Sequence, residues 1–228
     1  MPSSDRVAIV PTIQADPPRV RVWQLSTAMA AAAGLLLQFA WMQGQAQHVG
    51  AVWMTLRFFS YFTILSNALV LLVSAASAYR PCGRWGRMAM RPGVRGAVLL
   101  YILITALVYH LVLAGRWHPH GLALLADTLL HTVVPTMYAL GWLWIAPCRG
   151  LRWHHLPVWQ LVPALYFLWA MMLGRVLHAY PYPFLNLARL GPEPLMRNAL
   201  VLLGVFVAMG ATLVVVDRGL SRLQPERI

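Results

Sequence analysis

Lysine is absent from this 228-residue chain, and acids are scarce, with six Asp and Glu against 18 arginines. Charged residues of every kind make up only 11%, where a soluble domain carries about 25%. Two cysteines, Cys82 and Cys148, are too few for a zinc motif. Both fall in loops read below as cytoplasmic, a reducing setting in which a structural disulfide is not expected. No Gly-rich phosphate loop or dinucleotide fingerprint occurs. The short alternating segments of a membrane barrel are missing too, and no internal repeat marks inverted halves. Nucleotide chemistry and a β-barrel are thereby set aside, and nothing calls for a cofactor or a metal.

What the chain does have is apolar length, with 60% of its residues hydrophobic. A helical span needs about 20 apolar residues. Six runs qualify: Val22–Trp41, Phe58–Tyr79, Ala97–Leu113, Leu122–Ile145, Val158–Leu177 and Ala199–Val216. Backbone groups in lipid must bond within their own segment, so these runs predict helices and an all-α integral membrane protein, a six-span helix bundle. Residues 21–218 form the membrane domain. The proline-rich segment 1–20 reads as a disordered tail, and 219–228 as a second short tail. The first apolar run is too long for a signal peptide, and no small-residue cleavage site follows it.

The net charge of +12 invites a nucleic-acid reading, but the arginines sit between spans. Thirteen of them lie in the N-terminal tail, the loops after spans 2 and 4, and the C-terminus; the remaining five are Arg57, Arg116, Arg175, Arg189 and Arg197. The positive-inside rule places both termini in the cytoplasm. The expected location is the cytoplasmic (inner) membrane, with the lipid bilayer rather than nucleic acid as partner.

Polar residues inside spans cost free energy, so their placement carries information. Ser60, Thr63 and Asn67 recur at helical spacing in span 2. Tyr101, Thr105 and Tyr109 form a stripe on span 3, with His110 beside it. Asp127 and His131 stand one turn apart on span 4. At 1.5 Å per residue, Thr63 lies about 8 Å and His131 about 14 Å below the outer ends of their spans. The set gathers in the outer half of the bilayer. Many of these residues have an ordinary explanation. Ser and Thr in membrane helices bond their own backbone one turn back, Asn67 can join two helices, and tyrosines pack. Asp127 resists such a reading. It is the only acid within the predicted spans, and a carboxylate there needs a partner. His131 is the nearest one.

A threonine hydroxyl is a weak nucleophile that requires an adjacent base. His131 supplies one if spans 2 and 4 bring it within hydrogen-bond reach of Thr63. Asp127 then orients the imidazole as the third member of a triad does. Ser60, Asn67 and Tyr109 are candidates to stabilise an oxyanion. Tyr109, His110, Arg57 and Arg175 are candidate substrate-binding residues. Both arginines sit at outer span ends, where a guanidinium can meet a phosphate or a fatty-acid carboxylate.

Three stretches together carry a resemblance. Span 2 reads Arg57-Phe-Phe-Ser-Tyr-Phe-Thr63-Ile-Leu-Ser-Asn67. Span 4 reads Asp127-Thr-Leu-Leu-His131-Thr-Val-Val-Pro135. The third outer loop reads Tyr182-Pro183-Phe184-Leu185, followed by Gly191-Pro192. In this order, over spans 2 to 6, the chain resembles the androgen-induced protein family of multispan membrane proteins, and in particular its bacterial six-span branch. Animal members of that family are threonine hydrolases that cleave esters of fatty acids with hydroxy fatty acids. The resemblance implies Thr63 as nucleophile, His131 as base and a lipid ester as substrate. The chain departs from the family at Asp127, where animal members carry an amide.

Other readings stay open at this stage. His110, His131 and His178 lie on three spans near one membrane side and suggest haem ligation. Asp127, His131 and His110 suggest a zinc hydrolase. A non-enzymatic membrane protein or small transporter is the third alternative, with Pro135 and Pro163 as its helix-breaking residues.

Overall fold

The computed structural model describes residues 18–46, 50–79, 81–116, 118–145 and 149–223. The expected disorder of the tail therefore falls mostly outside the described residues, as do His48, Arg80, Trp117 and Cys148. Six helices are long and apolar enough to cross a membrane: α1 (Pro18–Gly44), α2 (Phe62–Tyr79), α3 (Pro92–Arg116), α4 (Leu122–Trp144), α5 (His155–Leu177) and α6 (Pro192–Arg222). No strand occurs among the described residues. The chain is an all-α integral membrane protein built as a six-span bundle.

Proline sets where several helices begin. Pro18, Pro92 and Pro192 each open a span, at the position where a missing N–H costs nothing and the fixed φ is already helical. Pro18 thus belongs to α1 rather than to the tail. Before Pro192 the chain turns at Gly191 with φ 78°, a conformation open to glycine.

The α3 helix is the axis of the bundle. Its Leu99, Leu100 and Ile102 are almost fully buried, packed against α2, α4 and α6. The α1 helix lies against α2 and α4. It comes closest at Gly34, where a Cβ would stand 2.8 Å from Leu130 Cδ2 and 3.1 Å from Leu129 Cβ. The first turn of α5 is fastened to α3. The Tyr101 hydroxyl donates to the Trp159 carbonyl at 2.8 Å, and Trp159 Nε1 donates to the Gly93 carbonyl at 2.9 Å. Past Gln160 the α5 helix stands further off, and it is the least buried of the six spans. Side chains such as Leu36, Leu72, Leu165 and Val176 face outward, an apolar surface suited to lipid rather than to water.

Three features go beyond the sequence reading. The span expected over Phe58–Tyr79 is two helices, Ala51–Phe59 and α2, broken at Ser60 and Tyr61. Ser60 therefore lies in the break and does not share a helix face with Thr63 and Asn67. The third loop is folded, with a tight turn over Pro183–Leu185 and a short helix Leu187–Leu190 capped by Asn186. Asp217, one residue beyond the expected end of the last span, is 1% exposed inside α6. Its Oδ2 accepts from the N–H groups of Gly150 (3.0 Å) and Leu151 (2.8 Å), and Arg149 lies 3.7 Å from Oδ1. This buried carboxylate pins the segment between α4 and α5 to α6, at the end of the bundle away from Thr63.

Candidate active site

The break at Ser60 and Tyr61 makes Thr63 a first-turn residue of α2. N–H groups in a first turn lack intrahelical acceptors. The N–H of Thr63 donates instead to the Tyr182 hydroxyl at 3.3 Å, across 119 residues of chain. Tyr182 Oη also lies 3.4 Å from Thr63 Oγ1. The break itself is held by two bonds: Ser60 Oγ donates to the Arg57 carbonyl at 2.6 Å, and the Tyr166 hydroxyl of α5 donates to the Ser60 carbonyl at 2.8 Å.

His131 reaches Thr63 from α4, with its Nε2 3.4 Å from Oγ1. Its segment, Leu129–Val133, is wound as a π turn, a widening often found at functional sites. Pro135 accounts for it in part, because it has no N–H to offer the carbonyl of His131 four residues back. Asn67 of α2 stitches the turn in place. Its Nδ2 donates to the Leu130 carbonyl at 3.2 Å and to the Thr63 carbonyl at 2.9 Å. One fully buried amide thus joins the backbones carrying Thr63 and His131, while its Oδ1 has no partner among the described residues.

The other face of the imidazole is equally constrained. His131 Nδ1 lies 3.2 Å from Asp127 Oδ1 and 3.1 Å from the Asp127 carbonyl. Both are acceptors when the carboxylate is ionised, so Nδ1 carries the proton and Nε2 presents a lone pair to Thr63. Tyr109 stacks on the His131 ring at a centroid distance of 3.9 Å, and its hydroxyl donates to Asp127 Oδ2. Tyr109 also begins a π turn, Tyr109–Leu113, so two widened turns on adjacent spans face each other across the site. Asp127 is 8% exposed and has a donor at each oxygen, as a buried carboxylate requires.

Thr63 stands on the wall of a partly open cleft with an empty volume of about 570 Å³. Phe62, Ile104, Tyr166, Leu202 and Phe206 make its lining strongly apolar, and Tyr182 and Phe184 border it from the third loop. Tyr109 shares the wall with Thr63, while His131 stands behind both. An electrophile in the cleft would approach Oγ1 from one side as Nε2 draws its proton from another.

Several expected participants stand elsewhere. His110 is exposed and pairs with Thr132 Oγ1 at 3.2 Å, turned from the Asp127–His131 pair, so the zinc reading loses its third ligand. No group of three His, Cys, Asp or Glu side chains converges among the described residues. His178 is an exposed left-handed residue ending α5, with φ 51°. Arg57 and Arg175 are both exposed and line no part of the cleft. Arg57 is linked to it indirectly: its Nε donates to the Tyr61 hydroxyl at 3.3 Å, and Tyr61 packs edge-on against Tyr182. Of the residues considered for an oxyanion, Ser60 donates to backbone, Asn67 to two carbonyls and Tyr109 to Asp127. Tyr182, which the sequence placed only in the third outer loop, is the polar group that the fold adds to the site.

The chain matches no family model, no curated protein and no solved structure. Its fold and site define a class on their own terms: a six-span helical membrane protein with a Thr–His–Asp cluster on an apolar cleft.

Proposed function

We propose that the protein is an intramembrane ester hydrolase that uses Thr63 as nucleophile and His131 as general base, with Asp127 orienting the imidazole. The observation carrying this reading is the chain of contacts from Thr63 Oγ1 to His131 Nε2 (3.4 Å) and from His131 Nδ1 to Asp127 Oδ1 (3.2 Å). It is the order of groups that activates a hydroxyl. Catalytic hydrogen bonds are often long before substrate binds. Thr63 attacks the acyl carbon and its proton passes to Nε2. The protonated imidazole then gives that proton to the departing alkoxide. Water hydrolyses the acyl-threonine with the same base.

The proposed substrate class is supported by the cleft and by the resemblance to the androgen-induced protein family. The apolar lining suits an acyl chain, and the ester of a lipid lies near the headgroup boundary, where spans 2 and 4 begin. We place the protein in the cytoplasmic (inner) membrane with both termini inside, so that the site faces the outer leaflet. Esters of fatty acids with hydroxy fatty acids are the reading's preferred substrates, and the free carboxylate of such an ester is proposed to pair with Arg57 or Arg175, both exposed outside the cleft.

Kinetics of single and double variants test the pair. Thr63→Ala and His131→Ala should each lower kcat by several orders of magnitude, and the double variant should be little worse than either, because groups acting as one unit are non-additive. Full activity in a well-folded Thr63→Ala protein would end the threonine-nucleophile reading.

A further inference from the structure

The third loop brings one polar side-chain atom to the site, the Tyr182 hydroxyl. The ring is fixed on both sides, edge-on to Tyr61 at 5.8 Å and stacked on Phe184 at 5.1 Å. The backbone behind it is stiffened by Pro181 and Pro183, whose φ angles are set by their rings. A phenol held this way has little conformational freedom left to lose. Its oxygen accepts from the Thr63 N–H at 3.3 Å. A phenol has one proton to give, and the Thr63 N–H occupies only an acceptor position. The Tyr182 proton can therefore point at Thr63 Oγ1, 3.4 Å away, at the oxygen of the neighbouring Tyr166 hydroxyl, or at an atom bound beside it in the cleft. Burial pushes the phenol above its ordinary value, outweighing the hydrogen bonds with Thr63 that pull it down. The group stays protonated at neutral pH.

We infer that Tyr182 is a catalytic residue of the proposed hydrolase: its hydroxyl donates a hydrogen bond to the oxyanion formed when Thr63 adds to an ester carbonyl. The inference rests on the threonine-hydrolase reading above and adds a group that neither the Thr–His–Asp cluster nor the helical spans supply. In the addition step the Thr63 Oγ1–carbon bond forms, the carbonyl π pair moves onto oxygen, and the Thr63 proton passes to His131 Nε2. The new negative charge is then met by the Tyr182 hydroxyl, while the Thr63 N–H stays bonded to the phenol oxygen. When the carbonyl re-forms, the ester C–O bond breaks and the leaving alkoxide takes its proton from His131. Tyr182 keeps its own proton throughout. The loop is thereby a working part of the site. The other hydroxyls that the spans themselves bring to the cleft are committed elsewhere, Thr105 to the Tyr101 carbonyl, Tyr109 to Asp127 and Tyr166 to the Ser60 carbonyl.

The test uses the full chain in detergent or nanodiscs with a chromogenic fatty-acyl ester. Tyr182→Phe retains both ring contacts and removes only the hydroxyl. It should lower kcat by about 10²- to 10³-fold, the usual cost of one oxyanion donor, with KM changed less than about threefold. A second measurement separates chemistry from structure. Fluorotyrosines placed at 182 vary the acidity of the phenol at nearly constant shape, and log kcat should follow that acidity in a straight line. A merely structural hydroxyl would shift the melting temperature without such a line. Wild-type rates in Tyr182→Phe, or kcat independent of phenol acidity, would overturn the role of Tyr182 while the Thr63 reading stands. Hydrolysis that survives Thr63→Ala would overturn both.

Discussion

Asp127 holds His131 by two acceptors rather than one, since the side chain and the main-chain carbonyl of the same residue both face Nδ1. The carbonyl is enough to keep the proton on Nδ1 when the carboxylate is gone. Asp127→Asn should therefore lose the charge-assisted part of the interaction, about 1.5–3 kcal/mol, which is about 10- to 100-fold in kcat. That is milder than the loss expected for His131→Ala. A loss as large as that of His131→Ala would mean that the carboxylate itself takes part in proton transfer. Asp217 makes the contrasting case. It has no route to Thr63, yet it satisfies two main-chain N–H groups and faces Arg149. Asp217→Ala should cost about 3–5 kcal/mol, as expected for breaking a buried pair. It would appear as a lower melting temperature in detergent, with kcat at low temperature close to wild type. An unchanged melting temperature would remove the pinning role.

At the scale of elements, the site depends on departures from regular helix. The Ser60–Tyr61 break turns Thr63 into a first-turn residue, and the π turn at Leu129–Val133 carries His131. Pro135→Ala would restore an N–H to the His131 carbonyl and favour regular winding. We expect kcat to fall at least about tenfold while the melting temperature holds or rises, because a helix-interior proline costs about 3 kcal/mol. Wild-type activity in this variant would show that the proline is not what sustains the geometry. These departures also mark how far the sequence is legible. The spans could be read because lipid demands long apolar runs, and Thr63, Asn67, Asp127 and His131 stood out because polar groups there are costly. Pro135 was a visible cue for a disturbed turn. The π turn at Tyr109 has no proline after it within the span, and the Ser60–Tyr61 break falls in a continuous apolar run, so neither had a local signal. Tyr182 was visible only as part of an aromatic and proline-rich loop. Its contact with Thr63 depends on a return of the chain over 119 residues, which no periodicity reports. Asp217 was hidden by one residue, since the apolar run ends at Val216 while the helix continues to Arg222.

For the whole molecule, α3 lies at the centre of the bundle, and α5, the least buried span, leaves a cleft between itself, α2, α3 and α6. That arrangement sets Thr63, with His131 behind it, beside a space wide enough for an acyl chain. The proposed orientation in the membrane rests on arginine placement alone, and it sets which leaflet the cleft would face. Periplasmic reporter fusions after residues 48, 118 and 187 should be active, and fusions after 88, 151 and 225 silent. The reverse pattern would move the cleft to the cytoplasmic leaflet without altering the Thr63–His131 pair.

The central claim is that Thr63 forms a bond to the acyl carbon, and covalent capture reads this most directly. A fluorophosphonate is attacked by an activated hydroxyl and leaves a stable adduct, which peptide mass spectrometry assigns to one residue. The account predicts a single adduct on Thr63, dependent on His131 and absent from Thr63→Ala. An adduct on Ser60, Ser66 or any other residue, or equal labelling of the Thr63→Ala protein, would contradict it.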